Sequence, residues 1–263
     1  MRELDGFQTD TFTADGKTKT VFRAGSGPAV IVIAEMPGIT PDVATFARRV
    51  IDIGCSAVMP VLFGEPGRPI SGLYVTRSIV GACVSREFST FALRQTSPVT
   101  TWLRALAQHE HERCGGPGVG VIGMCFTGGF ALGMMVDETV LAPVLSQPSL
   151  PFGLTKSRRA DIGISDADLA KVKERTAGGV DVLGLRFTCD RFVPEERFET
   201  LRRELGDRFI AVEIDSSEGN PHGIPKTAHS VVTGDLVDEP GHPTHDALQK
   251  VLDLFKDRLQ TTS

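Results

Sequence analysis

The chain has no Cys-x-x-Cys pair, no cluster of lysine and arginine, no membrane-length apolar run and no internal repeat. Each absence removes a class of protein. The five cysteines, Cys55, Cys83, Cys114, Cys125 and Cys189, are odd in number and widely spaced. That argues against a disulfide framework and a cysteine-rich zinc site, and it fits a reducing compartment. A formal charge of −5 and a pI near 5.7, with no basic patch, make nucleic acid and anionic membrane surfaces poor partners. The stretch Met1-Arg-Glu-Leu-Asp-Gly-Phe7 lacks the apolar centre of a signal peptide, so a cytoplasmic location is the default expectation. No stretch rich in Pro, Gly or Ser divides the 263 residues, which predicts a single domain over 1–263. With 41% hydrophobic and 23% charged residues, the chain can bury a sizeable core.

What is present is alternation of strand and helix signals. Residues 7–25 alternate polar and apolar around Ala14-Asp-Gly16, predicting a β-hairpin. The continuous apolar run 29–34 predicts a central strand buried on both faces. Thr40 and Pro41 then open a helix with an apolar face of Val43, Phe46, Ala47, Val50 and Ile51, closed by Gly54. Further strands are predicted at 56–61, 119–122, 140–145, 180–187 and 209–214. Further helices are predicted at 99–114, from the Ser165 capping box to about 175, around Phe198 to Leu205, and at 244–259. Residues 73–84 read equally as helix or irregular cover. The segments near 63–98 and 148–164 are long for simple connections, and both are expected to lie over a site. The pattern predicts an α/β fold with a mainly parallel sheet and helices on both faces, where ligands sit beyond the carboxyl ends of the strands.

One corner concentrates chemical signals. The run 119–122 leads into Gly123-Met-Cys-Phe-Thr-Gly-Gly129, after which Phe130, Ala131, Leu132 and Met135 recur with helical spacing. Glycines two before, and three and four after, Cys125 suit a sharp strand-to-helix turn whose central residue is strained. A cysteine there faces a helix amino end, where N–H groups and dipole favour a thiolate and a developing oxyanion. The plainer reading is a core cysteine between strand and helix. Three more residues follow strands: Glu35 in Glu35-Met-Pro-Gly38, Asp190 in Asp190-Arg-Phe-Val-Pro194, and His229 in Ala228-His-Ser230.

The order Cys125, Asp190, His229 is the nucleophile, carboxylate, histidine order of the α/β-hydrolase fold. Glu35 could instead be a salt-bridged strand-end carboxylate, and Asp190 a turn residue. His222 shares the loop of His229 and competes for the role of base. His109 and His111, two apart on a helix, point to different faces and do not form a metal pair; neither metal nor cofactor is expected. Gly118-Val-Gly-Val-Ile-Gly123 has the look of a dinucleotide loop but lies on the strand itself.

From about Ala29 to Leu259 the chain resembles the dienelactone hydrolase family of α/β-hydrolases. The resemblance rests on the cysteine corner, on Glu35 with Pro37 and Gly38, on the Asp190 segment and on His229. It departs from the family at Thr127, where many members have glycine, and in the residues after His229, where an aromatic residue is common. The resemblance implies that Cys125 attacks an ester or lactone carbonyl, that His229 is base and then acid, and that Asp190 fixes its tautomer. It further implies an oxyanion hole from the N–H groups of Phe126 and Met36, and a contact from Glu35 to the resting thiol. Classical members hold an anionic lactone with arginines, for which Arg191, Arg86 and Arg94 are the candidates here. The expected partner is thus a small ester or lactone, bound by a monomer or homodimer. A thioesterase or amidase with the same triad, and a silent binding or sensing protein of the same fold, are the alternatives.

Overall fold

The computed structural model describes residues 2–69, 97–150 and 156–260. The undecided segment 73–84 and the candidates Arg86 and Arg94 lie outside them. Among the described residues eight strands form one sheet: β1 (Gln8–Ala14), β2 (Lys17–Ala24), β3 (Ala29–Ile33), β4 (Ser56–Pro60), β5 (Val119–Met124), β6 (Val140–Ser146), β7 (Val182–Phe187) and β8 (Phe209–Ile214). Their spatial order is β1-β2-β4-β3-β5-β6-β7-β8. The predicted hairpin β1–β2 pairs antiparallel, and β2 joins β4 antiparallel. Every other pair is parallel, so the carboxyl ends of β3, β5, β6, β7 and β8 share one edge.

The apolar runs are buried on both faces because side chains alternate along a strand. On β3, Ala29, Ile31 and Ile33 enter one core while Val30 and Val32 enter the other; on β5, Val121 and Ile122 divide in the same way. The first core is closed by α2 (Pro98–Cys114), α3 (Gly128–Met134), α4 (Asp166–Ala177) and α5 (Glu195–Leu205). The second is closed by α1 (Pro41–Asp52) and α6 (Pro243–Leu259). Thr40 caps α1 and Ser165 caps α4 through side-chain oxygens, as their positions predict. Strand β7 begins at Val182, not at 180, because the Val180 N–H still closes the end of α4 on Arg175 O. A single helical turn, Lys156–Arg159, lies within the predicted cover near 148–164. Among the described residues no helix is long and apolar enough to cross a membrane.

Candidate active site

The corner after β5 has the geometry its glycines suggest. Cys125 has a φ of 55°, a left-handed conformation that costs a non-glycine residue energy and that recurs at functional sites. A Cβ on Gly123 would lie 2.1 Å from Thr127 O, so only glycine lets the chain fold back on itself. Thr127, the departure from the family pattern, is fully buried, and its hydroxyl earns the place. It accepts from Met124 N at 2.8 Å and lies 2.9 Å from Ile33 O, tying the corner to β3.

The loops beyond the other strands converge on this corner. His229, in the loop after β8, brings Nδ1 to 2.6 Å from Asp190 Oδ2, which follows β7. Burial alone would lower the basicity of His229. Hydrogen bonds to Asp190 and to Cys125, with their charges, outweigh it and push the imidazole pKa up to about 11. Asp190 is itself fixed, since Oδ1 accepts from Phe192 N at 2.9 Å. The Phe192 ring packs edge-on against the His229 imidazole, with 5.5 Å between centroids, yet is 67% exposed. Asp235 Oδ2 accepts from both His229 N and Ser230 N, which sets the backbone that carries the imidazole.

The competitor His222 lies elsewhere: it is exposed, and its ring lies against His242 at 5.2 Å. Met36 and Cys125 are partly buried and pack against the core cluster that contains Phe126. Arg191 is exposed beside Asp190. His109 is exposed, with its ring stacked on Phe12 at 5.0 Å, and His111 is half-buried.

Glu35 is where the structure departs from expectation. It is 5% exposed, and its carboxylate accepts from Ser230 Oγ at 2.6 Å, from Gln147 Nε2 at 3.1 Å and from Thr233 Oγ1. It has no ion pair among the described residues. The oxygen next to the thiol belongs instead to Ser149, with Oγ 3.1 Å from Cys125 Sγ. Neither Ser149 nor Gln147, whose φ is 35°, carries a sequence signal beyond lying past a strand end. Arg197 was equally hidden. It is 2% exposed and donates to four carbonyls, those of Pro148, Arg158, Asp161 and Phe192. It therefore joins the loops that hold Ser149 and Asp190.

A model of the dienelactone hydrolase family matches residues 17–259. The chain belongs to the dienelactone hydrolase family. Membership places it among hydrolases, and solved structures agree on the fold. A candidate dienelactone hydrolase from Klebsiella pneumoniae subsp. pneumoniae MGH 78578 is 17% identical, with a TM-score of 0.65 over 95% of this chain and 97% of that one. A cold-adapted esterase from an Arctic intertidal metagenomic library is 14% identical, with a TM-score of 0.55 over 97% and 94%. An alpha-beta serine hydrolase homologue from Coxiella burnetii is 12% identical, with a TM-score of 0.53 over 94% and 96%. No curated protein matches the chain. The sheet order and these likenesses make this family member an α/β-hydrolase fold.

Proposed function

We propose that the protein hydrolyses small esters or lactones through an acyl-enzyme on Cys125. The observation that carries this reading is an imidazole bonded at once to a buried carboxylate and to a cysteine at a strained strand-to-helix corner. Its raised basicity suits His229 to hold the proton that the attacking sulfur gives up.

The sulfur bonds to the carbonyl carbon, and the carbonyl electron pair moves onto oxygen, where the N–H groups of Met36 and Phe126 receive it. As the intermediate collapses the C–O bond breaks, and His229 gives its proton to the leaving oxygen; in a lactone that oxygen stays tethered to the acyl chain. The neutral imidazole then takes a proton from water as the water oxygen attacks the thioester. The thiolate leaves, and the acid is released. Asp190 keeps Nδ1 protonated throughout, so Nε2 is the nitrogen that exchanges the proton. Arg191, exposed beside Asp190, would meet an anionic group on the substrate, a role for which Arg86 and Arg94 are the other candidates.

Short p-nitrophenyl esters and a small lactone panel test this. Cys125→Ala, folded by circular dichroism, loses turnover, and a brief pulse of substrate leaves an acyl mass on the Cys125 peptide of the wild type. Turnover retained in folded Cys125→Ala overturns the reading. Thioester or amide preference in the same panel would redirect it to a thioesterase or amidase. A Cys125 no more reactive than Cys55, whose thiol burial pushes up, would indicate a binding protein.

A further inference from the structure

We propose that Ser149 is a catalytic residue of this site, donating its hydroxyl hydrogen bond to the Cys125 sulfur whenever that sulfur is anionic. The inference rests on the cysteine mechanism above and assigns to Ser149 the sulfur contact that the family resemblance gives to Glu35.

Three observations support it. The first is a two-point attachment. Ser149 Oγ lies 3.1 Å from Cys125 Sγ, and Ser149 N donates to Cys125 O at 3.0 Å. The main-chain bond sets the distance between the two residues, and the side-chain bond falls on the reacting atom.

The second is the corner that delivers it. Gln147 is fully buried at a φ of 35°, with its N–H on Leu185 O of β7 at 2.8 Å and its amide on Glu35. Pro148 O accepts from Arg197 at 2.9 Å, and Pro148 leans on the start of α3, where a Cβ on Gly128 would lie 2.7 Å from its ring. A strained residue held from three sides is a conformation maintained for what it presents. Here it presents Ser149.

The third is the chemistry of the bond. A neutral thiol can donate to the serine oxygen or accept from it, but a thiolate can only accept, so the hydroxyl must then donate. Hydrogen bonds to an anionic acceptor are the stronger kind, so the contact favours the thiolate over the thiol. It acts before attack, lapses while the sulfur is a neutral thioester, and returns as the thiolate leaves. No proton moves from Ser149 at any step. The other polar groups of the site bond elsewhere or carry the proton. His229 carries the proton and is held by Asp190; Glu35 accepts from Ser230, Thr233 and Gln147; Arg197 donates to carbonyls.

The test reads the sulfur without any substrate. Iodoacetamide labelling of the Cys125 peptide is followed by mass spectrometry across pH in the full-length wild type, Ser149→Ala and Ser149→Thr. Removing the hydroxyl should cut the thiolate fraction about tenfold, moving the labelling midpoint up by roughly one pH unit. The kcat for a short ester should fall by a similar factor with KM little changed. Ser149→Thr should restore both, a rescue that a merely structural role would not give. If Ser149→Ala does not fold, the Ser149→Thr and Ser149→Val pair replaces it, because the two differ only in the hydroxyl. An unchanged labelling midpoint in a folded hydroxyl-free variant overturns the proposal. Labelling that depends on Ser149 in a protein that turns over no ester keeps the Ser149 bond to the thiolate but overturns the hydrolase reading and, with it, the catalytic role. Turnover through Cys125 with labelling indifferent to Ser149 does the reverse.

Discussion

Asp190 Oδ2 and His229 Nδ1 lie 2.6 Å apart across 39 residues of chain, joining the loop after β7 to the loop after β8. Asp190→Asn keeps the shape and can still accept from Phe192 N, but it removes the charge and the preference for one imidazole tautomer. By analogy with other triads, kcat/KM for short esters should fall by roughly 10³ to 10⁴ with a native circular dichroism spectrum. A folded Asp190→Asn within tenfold of wild type would remove Asp190 from the mechanism.

The same pair predicts how stability depends on pH. The imidazole is raised in the folded protein to about 11, with the Asp190 and Cys125 bonds prevailing over burial, against an unfolded value near 6.5. A group raised by folding stabilises fully below its unfolded pKa, and that contribution is lost as pH climbs through the folded value. The unfolded Cys125 thiol keeps its own proton up to about pH 8.5, so between about pH 8.5 and pH 11 the urea midpoint of the wild type should fall more steeply than that of His229→Gln. Parallel slopes for the two proteins would show that the imidazole gains nothing on folding.

What could be read from the sequence, and what could not, follows from how local each constraint is. The Cys125 corner is legible because the backbone itself excludes a side chain at Gly123, and the sheet is legible because apolar runs of strand length leave few alternatives. Choosing between His222 and His229 is not local. Both sit in one loop, and only the folded path turns one toward Asp190 and the other onto His242. Ser149 is hidden because its placement depends on the φ of Gln147, which composition does not reveal. Glu35 is legible as a buried strand-end carboxylate. Its partners Ser230 and Thr233 come from the far end of the chain, and no periodicity encodes that meeting.

Those partners lead to a prediction for Glu35. If its work is to hold the His229 loop, Glu35→Gln should weaken the protein by about 1–3 kcal/mol, because hydrogen bonds to a charged acceptor are lost. It should also lower ester turnover, while the iodoacetamide labelling of Cys125 at fixed pH stays near wild type, since the sulfur bonds to Ser149 and His229. Urea melts and labelling rates on one preparation check both halves. Labelling that collapses while stability holds would return Glu35 to the sulfur and contradict the division of roles between Glu35 and Ser149.

Arg197 extends the same logic from one loop to three. Burial lowers its guanidinium to about 10, yet it stays charged at neutral pH, with the Asp161 and Asp190 carboxylates nearby to favour the cation. Its donors reach the carbonyls of Pro148 at 2.9 Å and Phe192 at 3.1 Å, the residues beside Ser149 and next but one to Asp190, and it is tied to Asp161 O at 2.6 Å. Arg197→Met fills similar volume but leaves those carbonyls without a donor, and should cost roughly 3 kcal/mol or more in urea unfolding. Arg197→Lys keeps the charge but replaces a planar fork with a single ammonium, which cannot serve carbonyls in several directions, so it should recover only part of the loss. Turnover should fall in both variants along with stability, because the loops bearing Ser149 and Asp190 are no longer held in register with Cys125. A Met variant within 1 kcal/mol of wild type would mean that these loops hold their places without the clamp.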